Sequence, residues 1–222
     1  MALENKNFKE QFYLILTGIF IASLVASNLI FQKFFTWNFL GINFELSVGI
    51  IAYPVTFLVT DLISELYGQK RANQVVVSGF FASVFTTLLV LISVNATAVQ
   101  WSPIDSATFS KVFGLTGPAF FASMVAYLTA QLIDVRIFHF WKRLTKGKHL
   151  WIRNNASTMF SQLVDTSVIL IILCSAGVIE WERFYGLWMM GWIFKVLVAL
   201  IDTPVIYGII YLLKGKIDIA KE

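Results

Sequence analysis

Residues 53–71 read YPVTFLVTDLISELYGQKR, an apolar segment that carries two carboxylates, Asp61 and Glu65, four positions apart. In a helix that spacing puts both on one face. A carboxylate near the centre of a bilayer costs about 2.5–3.5 kcal/mol on insertion scales, so a face with two of them is expected to line a polar interior that uses them. Asp134, Asp165 and Asp202 sit in other apolar runs. Left as ions in lipid, these acids together would cost on the order of 15 kcal/mol, comparable to the whole net stability of a fold. They are expected to face inward, pair or hold protons. Asp165 and Asp202 fall near mid-span, and Asp61, Glu65 and Asp134 fall toward the cytoplasmic ends, which outlines a wet volume between those depths. The chemistry open to it is reversible binding of a small polar solute.

Each residue also has a plainer reading. Asp61 and Glu65 lie close enough to a helix end to be solvated at the headgroups, and Asp134 could pair with a basic residue of a neighbouring helix. Arg136 is free to snorkel to the cytoplasmic surface. Lys195, a lysine well inside an apolar run, is a natural partner for Asp165 or Asp202. It precedes Asp202 by seven residues, about 10 Å along a helix, so a direct bond within the helix is not expected. Asn28, Gln131 and Gln162 add neutral donors and acceptors that could bind solute or tie helices together. Gln131 and Asp134 are echoed by Gln162 and Asp165 in the next run, a short likeness that hints at a repeat. Tyr53, Phe57, Tyr127, Trp192 and Tyr207 offer aromatic faces, though most such residues serve packing or interface anchoring. Pro54 and Pro204 lie within runs, where a kink is expected. His139 and His149 fall at or beyond a helix end, where solvation is expected. No zinc-protease, nucleophile-elbow or phosphate-loop motif occurs, so no catalytic residue, metal ligand or cofactor is expected, and the chain does not read as an enzyme.

The elements that must position these groups follow from composition. Of 222 residues, 58% are hydrophobic and only 14% charged, and the mean hydropathy is +0.75; soluble domains are nearer a quarter charged. Six apolar runs are long enough to cross a bilayer, near residues 11–32, 46–66, 72–95, 117–141, 156–179 and 187–213. The expectation is an all-α membrane protein, one six-helix bundle forming a single transporter domain over residues 1–222. The first run exceeds the apolar core of a signal peptide and reads as a retained span. The longest connection, residues 96–116, contains Pro103 and Gly114 and reads as an external loop with room for one short helix. Lys and Arg concentrate at Lys6 and Lys9, Lys70 and Arg71, the segment from Lys142 to Arg153, and Lys214, Lys216 and Lys221. The positive-inside rule then puts both termini in the cytoplasm. The net charge of +4 reports orientation, since the basic residues form no strip suited to nucleic acid. Cys174 stands alone, so no intrachain disulfide can form.

Several of these pieces together resemble the queuosine precursor transporter family, also called the vitamin uptake transporter family. They are Ser27-Asn28-Leu29 with Lys33; YPVTFLVTDLISELYGQKRA from residue 53; AQLIDVRIF from residue 130; LWIRNNASTMFSQLVDT from residue 150; and Lys195 with Asp202-Thr203-Pro204 and Tyr207. The resemblance implies a multi-pass inner-membrane protein of six helices that imports 7-deazaguanine precursors of the tRNA base queuosine: the cyano form, the aminomethyl form or the complete free base. A guanine-like edge offers N1–H and a 2-amino group that a carboxylate can accept together, while O6 seeks a donor. On this reading Glu65, Asp134 or Asp165 accepts from the base and Gln131 or Gln162 contacts O6 or the pyrrole side. Asn28, Lys33 and Lys195 shape the path or balance charge, and Tyr53, Asp61 and Asp202 line it. The expected partners are the nucleobase and the lipid bilayer; a homodimer fits the chain's size and aromatic surface. Alternatives are a membrane-embedded binding subunit that needs an energising partner, a carrier of another planar solute, or a scaffold that transports nothing. Buried acids in several spans argue against the last.

Overall fold

The computed structural model describes residues 2–39, 41–114 and 117–213. Lys214, Lys216 and Lys221, on which part of the expected orientation rests, lie outside the described residues. In chain order the elements are α1 (Ala2–Ile30), a hairpin of β1 (Phe34–Phe39) and β2 (Ile42–Ser47), a 3-10 turn (Val48–Ile51), α2 (Tyr53–Tyr67), α3 (Gln69–Asn95), α4 (Ser106–Phe113), α5 (Gly117–Leu144), α6 (Leu150–Ser175) and α7 (Trp181–Leu213). Six helical segments are long and apolar enough to cross a membrane, over Asn7–Ile30, Val48–Tyr67, Gln69–Asn95, Phe120–Leu144, Leu150–Ser175 and Trp181–Leu213. The expected multi-pass bundle is therefore present.

The last two spans begin at residues 150 and 181, each six residues before the position expected from hydropathy. Arg153, Asn154 and Asn155 look like loop residues in sequence, yet all three are buried in the first turns of α6. Buried polar side chains with protein partners can extend a helix that a hydropathy count cuts short. The long connection does contain its short helix: Asp105 caps α4 by accepting from Thr108 N at 2.7 Å.

Successive helices joined by short connections run antiparallel, so the bundle has two ends. At one end lie the α2–α3 joint and the α5–α6 loop, with the start of α1 beside them: Tyr67 Oη donates to Lys9 O, and Arg71 reaches Glu10 at 3.3 Å. This basic end is the one the charge count assigns to the cytoplasm. At the other end sits the hairpin, which the hydropathy pattern passes over as a connection. Its strands are rich in aromatic and β-branched residues, and Gly41 takes φ +78° between them, a left-handed conformation that glycine adopts without strain. Phe44 and Leu46 turn one face inward, and Trp37 and Phe44 pack edge-on against Phe194 of α7. The hairpin is thereby fixed over the mouth of the bundle.

The apolar core joins α1, α2, α3 and α5 through Phe20, Leu24, Leu62, Ile63, Val76 and Phe138. Phe81, Phe85, Leu88 and Ile92 of α3 face outward, as lipid contact requires. Gly79 lets α1 and α5 approach α3 closely: a Cβ there would fall 2.6 Å from Phe20 Cε1 and 2.7 Å from the Tyr127 hydroxyl. Small residues serve this purpose where lipid removes the hydrophobic drive for helix association. Pro54 occupies the first turn of α2 after the 3-10 segment, where its missing N–H costs nothing, and α7 continues through Pro204.

Candidate functional site

Beneath the hairpin a cavity of about 220 Å³ opens between α1, α2, α5, α6 and α7. Its walls are mostly apolar, from Phe31, Leu46, Ile169 and Leu187, and Tyr53, Asp165, Thr166 and Lys195 form its floor. The 3-10 turn brings α2 in so that Tyr53 is its first residue; Ser47 holds that turn by accepting from Gly49 N and donating to Phe31 O. Gly49 is required at this crossing, since a Cβ would fall 2.9 Å from Ser27 O.

At the floor the Tyr53 hydroxyl donates to Asp165 Oδ1 at 2.9 Å. Lys195 Nζ donates to Asp165 Oδ2 at 2.6 Å and to Thr166 Oγ1 at 3.0 Å. The ammonium also lies 5.5 Å from the centroid of the Tyr53 ring. An ammonium has three N–H donors and each carboxylate oxygen has two lone pairs, so both groups retain capacity for a ligand. On the opposite wall Asn28 accepts from Ser123 Oγ at 2.9 Å and donates to Ser83 Oγ at 3.4 Å. The site thus sets one further donor and one further acceptor side by side at the base of an apolar slot, the arrangement of small-molecule pockets generally. A wider vestibule of about 890 Å³ adjoins it, sharing Phe34, Glu45, Ile179 and Leu187 and bordered by Glu180 and Arg183.

Toward the basic end the polar groups continue among buried side chains. A void of about 10 Å³, the scale of a single water, is lined by Tyr53, Phe57, Thr158, Gln162, Lys195 and Asp202. Tyr53 and Lys195 therefore stand between the pocket and this void. Below it, Thr158 Oγ1 donates to Asp61 Oδ2 at 3.2 Å and Ser161 Oγ to Asp134 Oδ1 at 2.8 Å. The two carboxyls lie close enough to act directly on each other. Gln131 is tied to α2, donating to Thr56 at 3.0 Å and accepting from Thr60 at 3.2 Å. Deeper still, Glu65 Oε1 meets Arg153 at 2.6 Å and Oε2 meets Lys142 at 3.4 Å. Arg153 also donates to the carbonyls of Gly147 and Lys148, which straps the α5–α6 loop to α2.

The expected site residues thus separate by depth. Asn28, Tyr53, Asp165 and Lys195 line the hairpin-side pocket, and Gln162 and Asp202 line the small void. Asp61, Glu65, Gln131 and Asp134 are buried toward the basic end, away from the pocket beneath the hairpin. Lys33 is exposed at the end of α1, where its carbonyl accepts from Val48 N and fixes the hairpin. Headgroup solvation of Asp61 and Glu65 is overturned, because they are 2% and 4% exposed. The solvated placement of His139 is overturned too: α5 runs on to Leu144, and the imidazole is fully buried. Lys195 pairs with Asp165, one of its two expected partners. Arg136 is exposed, as snorkelling requires.

Lys142, Ser161 and the hairpin residue Glu45 are not site candidates from sequence, and Arg153 and Thr158 enter there only as part of the family motif. The cluster Arg153-Asn154-Asn155 with Ser157 and Thr158 was the available signal, since so many polar side chains on adjacent turns need buried partners.

Residues 47–209 match the family model described as "Putative vitamin uptake transporter". The chain is 27% identical over 167 residues to a protein of Bacillus subtilis (strain 168) named "Probable queuosine precursor transporter", covering 73% of this chain and 70% of that one. It is 28% identical to a protein of the same name from Haemophilus influenzae, covering 76% and 69% of the two chains. The "Queuosine precursor transporter" of Escherichia coli (strain K12) is 24% identical over 211 residues, 93% of this chain and 89% of its own. No solved structure matches.

Proposed function

The chain belongs to the vitamin uptake transporter family, and we propose that it imports 7-deazaguanine precursors of queuosine across the inner membrane, binding them in the hairpin-side pocket. The names of its relatives supply the substrate class. The observation that carries the reading is the Tyr53–Asp165–Lys195 floor: a donor and an acceptor held side by side inside an apolar slot. A guanine-type base carries an acceptor, O6, directly beside a donor, N1–H. Lys195 donates its third N–H to O6 and Asp165 accepts from N1–H, while the Tyr53 ring and the apolar walls cover the flat face. Asn28 reads the far edge.

The hairpin end faces outward, so substrate enters through the vestibule, and the basic end faces the cytoplasm. The chain acts as a transporter and performs no chemistry on its substrate. It works as one domain, without cofactor or nucleic acid. Labelled free base or aminomethyl precursor should accumulate in cells unable to make queuosine only when this chain is expressed, and Asp165→Asn should reduce that uptake. Normal membrane expression with no stimulated uptake of any deazaguanine would refute the assignment. Uptake by the purified chain in liposomes would exclude the need for an energising partner.

A further inference from the structure

We propose that Asp61 and Asp134 form a proton-binding site that couples solute import to the proton gradient. This inference rests on the importer reading above and adds its driving force.

The two carboxyls come from different helices, α2 and α5, and are 2% and 0% exposed. One oxygen of each accepts from a hydroxyl of α6, Thr158 for Asp61 and Ser161 for Asp134. The other oxygens, Asp61 Oδ1 and Asp134 Oδ2, are buried and have no donor among the described residues, yet the carboxyls lie close enough to act on one another. Two carboxylates present only lone pairs, so their contact is attractive only with a proton between them. Among the described residues the nearby Arg and Lys side chains pair with other carboxylates: Arg153 and Lys142 with Glu65, one turn along α2, and Lys195 with Asp165. The other titratable groups toward the pair are Asp202 of α7, which acts on Asp61 through space, and His139 farther along α5.

The pair is also mechanically linked to the pocket. Helices α2 and α6 are bonded to each other by Tyr53–Asp165 at the pocket floor, by Asp61–Thr158 two turns deeper and by Glu65–Arg153 one turn beyond that. Eight residues separate Tyr53 from Asp61 and seven separate Thr158 from Asp165, about 11–12 Å along each axis. A tilt of α2 that opens the floor also strains the deeper contact. With the proton present, Asp61 and Asp134 hold α2 against α5. Once it leaves to the cytoplasm, two adjacent buried anions repel and release α2. Solute at the floor and the proton at the deeper pair thus both hold the same helix, and proton loss to the cytoplasm frees it to release the solute, which is the requirement for coupling two ligands through one conformational change. One proton enters per solute molecule, and neither is chemically altered.

The test uses the purified full-length chain in proteoliposomes with labelled free base and an internal pH dye. An acid-outside gradient should drive accumulation of about tenfold per pH unit at one proton per base, and adding base should acidify the lumen. Asp61→Asn and Asp134→Asn each keep a donor at the contact and mimic the protonated state. Each should retain exchange of internal for external base but lose concentrative, pH-driven uptake. Wild-type accumulation that ignores the gradient, or base entry without acidification, would overturn the inference and leave the importer reading intact. So would a full gradient response in both variants. Absence of any base transport by the wild-type chain would instead refute the importer reading itself. Should either variant fail even in exchange, the wild-type proton flux still decides the question.

Discussion

Lys195→Met removes the ammonium that donates to Asp165 at 2.6 Å, leaving that carboxylate with the Tyr53 hydroxyl. The side chains are 12% and 8% exposed, so the pair is nearly dry. Breaking a buried ion pair from one side costs about 3–5 kcal/mol, because the remaining charge stays desolvated. Tyr53 still donates and the pocket admits some solvent, so the lower figure of about 3 kcal/mol applies. In a chain of this size that corresponds to a melting midpoint lowered by about 6–12 °C. The double variant Asp165→Asn/Lys195→Met removes both charges and should recover at least half of the loss, while base uptake is reduced as in Asp165→Asn. The assay is built into the chain: Cys174 is its single cysteine and is 3% exposed, so a thiol-reactive dye in detergent reports unfolding as temperature rises. A single variant within about 2 °C of the native chain, or a double variant no more stable than the single one, would refute the claim that this pair is buried and mutually dependent.

At the basic end, Arg153→Ala should destabilise more than Glu65→Gln. The first loses the bonds to Glu65, Gly147 and Lys148 together, whereas the second leaves Arg153 with both carbonyls; the same thiol assay ranks them, with a loss of about 3 kcal/mol or more expected for Arg153→Ala. Gly79→Ala should cost about 1–3 kcal/mol by forcing Phe20 and Tyr127 away from α3, read as a lower midpoint and faster proteolysis. Asp105 lies outside the spans, and its bonds to Thr108 hold its carboxyl below the usual range. Its stabilisation of α4 is therefore complete above the unfolded value near ~3.9 and is lost as pH falls through the lower folded value. Amide exchange across residues 106–113 should accelerate at that acid limit and already do so at neutral pH in Asp105→Ala.

The sequence by itself determined the class of this protein. Six runs of about 20 apolar residues admit only spanning helices, because backbone groups must be satisfied internally in lipid, and acids within those runs had to find an interior. The distribution of Lys and Arg supplies only an expected orientation, and the motifs point to the family. Hydropathy could not foresee the hairpin, whose strands are held by Phe194, a residue some 150 positions later in the chain. Nor could it separate Asp165, at an open pocket, from Asp61 and Asp134, which face each other among buried side chains. All three read alike as acids in apolar runs. What distinguishes them is which neighbour arrives from another helix: a lysine and a tyrosine for one, another carboxyl for the others. Such partners are set by the crossing of helices, and a one-dimensional pattern carries periodicity within a helix but not the rotation of one helix against the next.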